Sequence, residues 1–177
     1  MTKEMAQALA GWAFAKGLAI LGAALLVAFQ GLLRTGELLA LRRKDVTVNA
    51  DNSRAILDLG LTKGGARRGH VESVVIDDVM LVRLLCAVTH SLAAHELLVP
   101  SQSRFRAAFA EGVEALGYSS ATFKPYALRR GGATHLYQES LNWSCVMHRG
   151  RWANQTTVRN YVNEGLAERN RAEMTAK

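Results

Sequence analysis

The sequence predicts a mainly α-helical domain with one small antiparallel β-sheet, an α+β fold. Three observations predict it: apolar residues recur at helical spacing over residues 1–31, residues 46–76 alternate as strands do, and helical spacing returns from residue 77. At 177 residues, of which 49% are apolar and 21% charged, the chain is long enough to bury its own core. We therefore expect one folded domain over residues 1–177.

The N-terminal third is predicted to contain three helices. Residues 1–31 are rich in Ala, Leu and Gly and favour two helices, one of them deeply buried. The uncharged run 17–29 is too short to cross a bilayer, which takes about 20 residues, and favours a core helix. Thr35 is a candidate N-cap for a third helix, ELLALRRKDV. Its inward-facing residues are predicted to be Leu38, Leu39 and Leu41.

Residues 46–76 are predicted to form a sheet of two or three antiparallel strands. The stretches VTVNADNSRAILDLG and HVESVVI are rich in β-branched residues and alternate in polarity. Asp51-Asn52 is predicted to form one turn, and residues 63–66, KGGA, a second.

The remaining chain is predicted to be helical. Gly131 and Gly132 would weaken the helix that follows Pro125 unless close packing requires them. The helical patterns cover residues 77–93, 103–116, 127–140, 143–147 and 155–172.

Charge and cysteine content indicate the kind of partner and the compartment. Lys and Arg number 22 against 15 acidic residues, a net charge of +7, which favours a polyanionic partner such as nucleic acid. Cys86 and Cys145 lie far apart without metal-type spacing and are predicted to be free buried thiols in a reducing compartment. Because the sequence shows neither a signal peptide nor a membrane span, we expect an intracellular protein without membrane contact.

Two polar features in the first half of the chain could carry chemistry. Glu37 follows Arg34 by three residues, a spacing that would let the carboxylate orient the guanidinium at a helix start. The alternative is a surface ion pair. Lys63, at the predicted hairpin tip, could swing onto a ligand and donate a proton; the alternative is a solvated turn lysine.

Two further features lie in the C-terminal third. Arg129 follows Tyr126 by three residues, and the alternative there is a basic helix face that includes Arg130. Trp152 precedes Tyr161 by nine residues, with arginines on both sides. Positive charge favours a phenolate and attracts phosphate. The alternative is a surface tyrosine on an amphipathic helix.

Together these features resemble the catalytic domain of the tyrosine recombinase (phage integrase) family, from about residue 21 to residue 161. Residues 34–41, RTGELLAL, with Asp45-Val46, resemble the first arginine box. Leu128-Arg129 with residues 133–136, ATHL, resemble the second. The third box is matched by Gly150, Trp152, Thr156-Thr157 and Tyr161.

The resemblance implies a DNA breaking-rejoining fold and roles for five residues. Tyr161 would attack a phosphodiester of double-stranded DNA and form a 3′-phosphotyrosyl link, releasing a 5′-hydroxyl. Arg34 and Arg129 would hold the non-bridging oxygens, Lys63 would protonate the leaving oxygen, and Trp152 would donate its indole N–H to the phosphate. Because the link retains the bond energy, religation would need neither ATP nor metal. No cofactor is expected, and the five histidines lack ligand spacing.

Two supporting roles, two departures and one expectation for the tail follow from the same resemblance. Glu37 would orient Arg34. Tyr126 stands where the family usually has a histidine, and a phenol stays protonated at neutral pH. An N-terminal core-binding domain is absent from this chain, so we expect a single catalytic domain over residues 1–177 that is either a fragment or a single-domain variant. The tail after Tyr161 would pack on a neighbouring protomer, or remain a solvated helix.

The leading functional hypothesis is therefore a site-specific recombinase or integrase that forms a homotetramer on DNA and is a monomer in solution. Depending on the host, it would act in the cytoplasm and nucleoid or in the nucleus. Tyr126 motivates an alternative, a catalytically impaired relative that only binds DNA. A third hypothesis is an enzyme with type IB topoisomerase chemistry, which the short chain and the box spacing disfavour.

Overall fold

The computed structural model describes residues 1–60, 69, 71–99, 101–162 and 165. A short 3₁₀ turn, Arg43–Asp45, precedes the sheet. The strands are β1 (Val46–Val48), β2 (Ala55–Asp58) and β3 (Ser73–Ile76). The helices are α1 (Lys3–Ala15), α2 (Ala19–Gln30), α3 (Thr35–Ala40), α4 (Val79–Thr89), α5 (Gln102–Ala115), α6 (Tyr126–Ser140), α7 (Trp143–Gly150) and α8 (Gln155–Arg159).

The sheet confirms the prediction for residues 46–76. Its three antiparallel strands lie in the order β1-β2-β3, with Thr47 opposite Ile56 and Ile56 opposite Val75. Alternate residues point into the core: Val46 on β1, Ala55 and Leu57 on β2, and Val74 and Ile76 on β3. The turn at Asp51-Asn52 is present, whereas the predicted turn at residues 63–66 lies outside the described residues.

Two apolar clusters hold the domain together. The larger one joins the inner face of the sheet to α1, α2, α4 and α5, and Leu9, Leu25 and Phe109 are each almost fully buried in it. The smaller cluster lies among α6, α7 and α8, and it contains Trp152, Val146 and Val158. Leu32, which follows α2, belongs to the smaller cluster and so connects the first arginine region to the C-terminal helices.

Helix boundaries differ from the prediction at two places. Thr35 is the first residue of α3 and Arg34 is its N-cap, because the Glu37 carboxylate accepts a hydrogen bond from the Arg34 backbone N–H at 2.7 Å. The helix ends at Ala40 instead of continuing to residue 46. Of the predicted helix over 155–172, Gln155–Arg159 is helical and Tyr161 lies in a turn, whereas residues 163, 164 and 166–172 lie outside the described residues. The other predicted helices are confirmed to within a few residues, and a side-chain cap sets several starts, such as Asp78 on Leu81 N–H of α4.

The cysteines depart from the prediction in their burial. Cys86 and Cys145 are free thiols, as expected, but both are half-buried instead of fully buried. Within the described part of the chain, no helix combines the length and the apolar character needed to cross a membrane.

The paired glycines of α6 permit close packing against α2. A Cβ built on Gly132 would lie 2.0 Å from the Phe29 carbonyl oxygen, which is backbone and cannot move aside alone. We expect Gly132→Ala to lower the free energy of unfolding by about 2 kcal/mol through overpacking, measured by urea denaturation. Gly11→Ala is the matched control, because nothing lies within 4 Å of a Cβ at that exposed α1 position. Equal stability of the Gly132→Ala protein and wild type would contradict this packing account.

Candidate active site

Arg34 and Glu37 form the first part of the candidate site. The two side chains pair directly through Arg34 Nη1 and Glu37 Oε1, within the first turn of α3. The Glu37 side chain is 7% exposed, whereas that of Arg34 is 39% exposed. The carboxylate therefore holds the guanidinium from the protein side and leaves part of it accessible to a ligand, as the sequence predicted.

Arg129 lies in the first turns of α6 and is the largest fully buried side chain among the described residues. Its Nη1 donates to the Leu32 carbonyl and its Nη2 donates to the Gly150 carbonyl at 2.7 Å. Its Nε is buried and has no hydrogen-bond partner. Burial, followed by the nearby Arg34 charge, lowers the pKa of Arg129 to about 10, so the group remains charged at neutral pH.

Two aromatic rings adjoin the buried guanidinium, and a third packs on one of them. The Trp152 ring centroid lies 4.3 Å from Arg129 Cζ, and that of Tyr161 lies 5.5 Å from it. Trp152 and Tyr161 are 4.7 Å apart, centroid to centroid, and Tyr126 packs on the other side of Tyr161 at 5.5 Å. A tryptophan face favours a nearby cation, which offsets part of the cost of burying Arg129.

Gly150 is where the closest packing of this ring cluster occurs. A Cβ at Gly150 would lie 1.8 Å from the Trp152 ring, so any larger residue would displace the indole. The same residue offers its carbonyl to Arg129. The glycine therefore lets Trp152 lie against the end of α7 while α7 binds the guanidinium.

Tyr126 packs on Tyr161, the candidate nucleophile. Partial burial, followed by a hydrogen bond with the Tyr161 side chain, raises the pKa of Tyr126 to about 12. The phenol is therefore neutral at pH 7 and can hydrogen-bond but cannot accept a proton as imidazole does. The two histidines nearest to Tyr126 in sequence lie elsewhere. His148 is exposed on α7, whereas His135 packs near Phe29 and pairs with Glu139.

Arg151 is a site residue that the sequence analysis missed. Its side chain is 7% exposed, and its Nη2 lies 2.6 Å from Glu37 Oε2. Its Nε lies 3.6 Å from the buried Glu72 carboxylate. In the sequence, Arg151 does not differ from the other arginines that flank Trp152. Its position beside Glu37 depends on a contact between residues 114 positions apart.

The structure thus brings together Arg34, Arg129, Trp152 and Tyr161, with Glu37 and Tyr126 beside them. Glu37 joins Arg34 to Arg151, and the Arg34 charge contributes to the lowered pKa of Arg129. The predicted site residue Lys63 lies outside the described residues. Among the residues that the structure describes, no group of three His, Cys, Asp or Glu side chains could hold a metal ion.

Comparison with known proteins identifies the class of protein. The chain belongs to the phage integrase family, whose profile matches residues 3–167. The search of the curated proteins found no match. Similar solved structures are nevertheless numerous, and they confirm both the recombinase-type fold and the predicted mainly helical architecture with its small antiparallel sheet.

Three of these structures illustrate the likeness. XerA recombinase superimposes with a TM-score of 0.73 at 18% identity, over 100% of this chain and 63% of that chain. XerH site-specific recombinase bound to difH substrate, in a pre-cleavage complex, gives 0.70 at 18% identity over 92% of this chain and 50% of that chain. Tn1549 transposon integrase in complex with transposon right end DNA gives 0.68 at 16% identity, over 100% and 66%. This chain therefore spans half to two thirds of the length of these relatives.

Proposed function

We propose that this domain is a site-specific DNA recombinase or integrase that cleaves and rejoins double-stranded DNA through Tyr161. The Tyr161 oxygen would attack a backbone phosphorus, forming a 3′-phosphotyrosyl bond as the bond to the 5′ oxygen breaks. The phenolic proton would pass from Tyr161 to solvent water, and the departing 5′ oxygen would take up a proton, which we assign to Lys63. Rejoining is the same reaction in reverse, with a 5′-hydroxyl as the attacking group.

One observation carries this proposal. Arg34 lies far along the chain from Arg129 and Tyr161, yet the Arg34 charge lowers the pKa of Arg129, and the Tyr161 ring centroid lies 5.5 Å from Arg129 Cζ. Two guanidinium groups beside a phenol match the needs of phosphoryl transfer, because charge accumulates on the non-bridging oxygens as the nucleophile attacks. A surface ion pair and a basic helix face, the two alternatives for these arginines, would not require Arg129 to be buried under two aromatic rings.

DNA binding would have to change the packing around Arg129. The guanidinium is 1% exposed and lies against Trp152 and Tyr161. Two of its five N–H groups have carbonyl partners, whereas the buried Nε has none and remains available to an oxygen. We expect the Tyr161 ring to shift from its contact with Arg129 when a phosphate enters, which would place phosphate and phenol side by side.

The basic character of the chain supports DNA as the partner. The net charge of +7 favours a polyanion, and the related XerH and Tn1549 structures contain DNA. We propose a homotetramer on DNA, with the tail after Tyr161 contacting a neighbouring protomer.

A covalent trap tests the proposed function. The substrate is a pool of nicked duplexes whose sequence is randomised around the nick. Cleavage near the nick releases a short 5′-hydroxyl fragment that diffuses away, so rejoining is prevented and the protein stays attached to the 3′ end. We expect an adduct that survives denaturing detergent and that protease digestion reduces to a peptide on DNA. A shift that salt or detergent abolishes would instead support the second candidate, a binding relative with an impaired site, which the neutral Tyr126 favours.

Tyr126→His tests whether proton handling limits the reaction. Imidazole titrates near 6.5, whereas Tyr126 stays neutral until far above neutral pH. With the duplex recovered from the pool, we expect Tyr126→His to cleave about tenfold faster than wild type and to introduce a rate change between pH 5.5 and 7.5. Single-turnover rates across that range measure both effects. Tyr126→Phe is the matched control, and unchanged rates in both variants would make position 126 a bystander.

A further inference from the structure

Arg151 makes more polar contacts than any simple surface ion pair would require. Its Nη2 binds Glu37 at 2.6 Å and approaches the Leu32 carbonyl at 3.4 Å. Its Nη1 donates to the Gly31 carbonyl at 3.3 Å and to the Arg149 carbonyl at 3.1 Å. With the ion pair to Glu72, one guanidinium joins the end of α2, the start of α3 and the end of α7.

The backbone at Arg151 is one that ordinarily favours glycine. Its φ of 58° lies in the left-handed region, where a β-carbon is unfavourable, and it ends α7. Leu32, with a φ of 48°, is in the same region. The two residues are joined by the contact of Arg151 Nη2 with the Leu32 carbonyl. Glycine would adopt this backbone conformation without strain, so the presence of arginine supports a specific function for its side chain.

The contacts of Arg151 lead to both proposed phosphate-binding arginines. Glu37 binds Arg34 through Oε1 and Arg151 through Oε2. The Leu32 carbonyl receives Arg129 Nη1 as well as Arg151 Nη2. Each phosphate-binding arginine is therefore one intermediary away from Arg151.

Electrostatics agree with this arrangement. Burial lowers the pKa of Arg151, and Glu37 opposes that effect, so the cation is maintained inside the protein. The Arg151 charge in turn contributes to the lowered pKa of Arg129. Three guanidinium groups close together repel one another, and the shared Glu37 carboxylate offsets part of that repulsion.

We propose that Arg151 is a positioning residue for DNA cleavage, which sets the spacing of Arg34 and Arg129 through Glu37 and the Leu32 carbonyl. This inference rests on the proposed function, because it assumes that these two arginines bind the scissile phosphate. Arg151 itself does not contact DNA. The competing explanation is purely structural, namely that Arg151 only neutralises the buried Glu37 and Glu72.

Arg151→Lys distinguishes the two explanations. Lysine keeps the charge but cannot reach Glu37 and several carbonyls at once in the geometry of a guanidinium. We expect the single-turnover cleavage rate at saturating nicked duplex to fall about 10- to 100-fold, while the Kd for DNA stays within about twofold. Arg149→Lys is the matched control, since the Arg149 side chain binds Asp77 and the Val75 carbonyl outside this network, and the substitution keeps the backbone carbonyl that accepts from Arg151. It should cleave like wild type.

A double-mutant cycle tests the route through Glu37. In a Glu37→Gln background, Arg151→Lys should have a much smaller effect on the rate than in wild type, because the shared carboxylate is already lost. Full additivity of the two effects would overturn the proposal. The melting temperature of each variant is measured together with its cleavage rate. If Arg151→Lys is not folded at the assay temperature, Arg151→Gln is assayed instead.

The outcomes separate this inference from the function on which it rests. A wild type that forms no covalent adduct removes the proposed function, and the role of Arg151 with it. A wild type that cleaves, together with a folded Arg151→Lys or Arg151→Gln protein that cleaves equally fast, overturns the positioning role alone. A slower variant whose lower rate is fully explained by weaker DNA binding would overturn it as well.

Discussion

Replacing Tyr161 by phenylalanine is expected to abolish the covalent protein–DNA adduct and to leave DNA affinity nearly unchanged. The substitution removes the attacking oxygen and keeps the ring that packs on Trp152 and Tyr126. Affinity for a duplex depends mainly on Lys and Arg contacts to phosphates, which this change does not touch. Denaturing gels measure the adduct, and a fluorescence titration at fixed salt concentration measures the Kd.

Tyr137→Phe is the matched control for the Tyr161 variant. Tyr137 lies on α6 with its ring 4.2 Å from that of Trp143, and it is the next candidate nucleophile. We expect this variant to form adduct at the wild-type rate. An adduct that survived Tyr161→Phe but disappeared in Tyr137→Phe would move the nucleophile to α6 and refute the assignment of Tyr161.

Arg129→Ala is expected to reduce the cleavage rate at least 100-fold. A charged donor aimed at the developing phosphate charge contributes ~3 kcal/mol or more to the transition state, which corresponds to about two orders of magnitude. The same substitution removes one donor from the Leu32 carbonyl and the side-chain donor of the Gly150 carbonyl. It also opens a cavity beneath Trp152, so the melting temperature must be measured with the rate.

Two further variants separate catalysis from folding at this position. Arg130→Ala is the matched control, because Arg130 is the adjacent exposed arginine of α6 and should affect the rate little. Arg129→Lys retains the charge, so its stability should lie closer to wild type while its rate stays low, since lysine lacks the planar fork. A loss below about tenfold in folded Arg129→Ala would contradict the assigned role.

Sequence reasoning succeeded where the controlling interaction is local. The Arg34 and Glu37 pair lies within one helical turn, so spacing alone predicted the contact that the structure contains. Strand alternation over residues 46–76 predicted two or three antiparallel strands for the same reason, and the sheet has three. Gly131 and Gly132 were predicted to weaken their helix unless close packing requires them, and the Phe29 carbonyl packs against Gly132.

It failed where tertiary contacts override local pattern. Helical periodicity continued past Tyr161, yet α8 ends at Arg159 and Tyr161 lies in a turn, because Val158 and Val162 pack in the cluster around Trp152. Arg151 was indistinguishable in sequence from the arginines near it, and its contacts with Glu37 and Glu72 set it apart. The N-cap of α3 was missed for a local reason: Thr35 has the residue type of an N-cap, yet Glu37 accepts the backbone N–H of Arg34.

By itself, the sequence determined the family, the order of the helices and strands, and the residue types available for phosphate chemistry, because each depends on short-range spacing along the chain. The tertiary structure alone decided that Arg129 is buried beneath Trp152 and Tyr161. It also decided that Tyr126 packs on Tyr161. The contacts of Arg151 with Glu37 and with the Leu32 carbonyl likewise depend on the tertiary structure. The reason is physical: these contacts join residues as many as 119 positions apart, and their geometry depends on how α2, α3, α6 and α7 pack against one another.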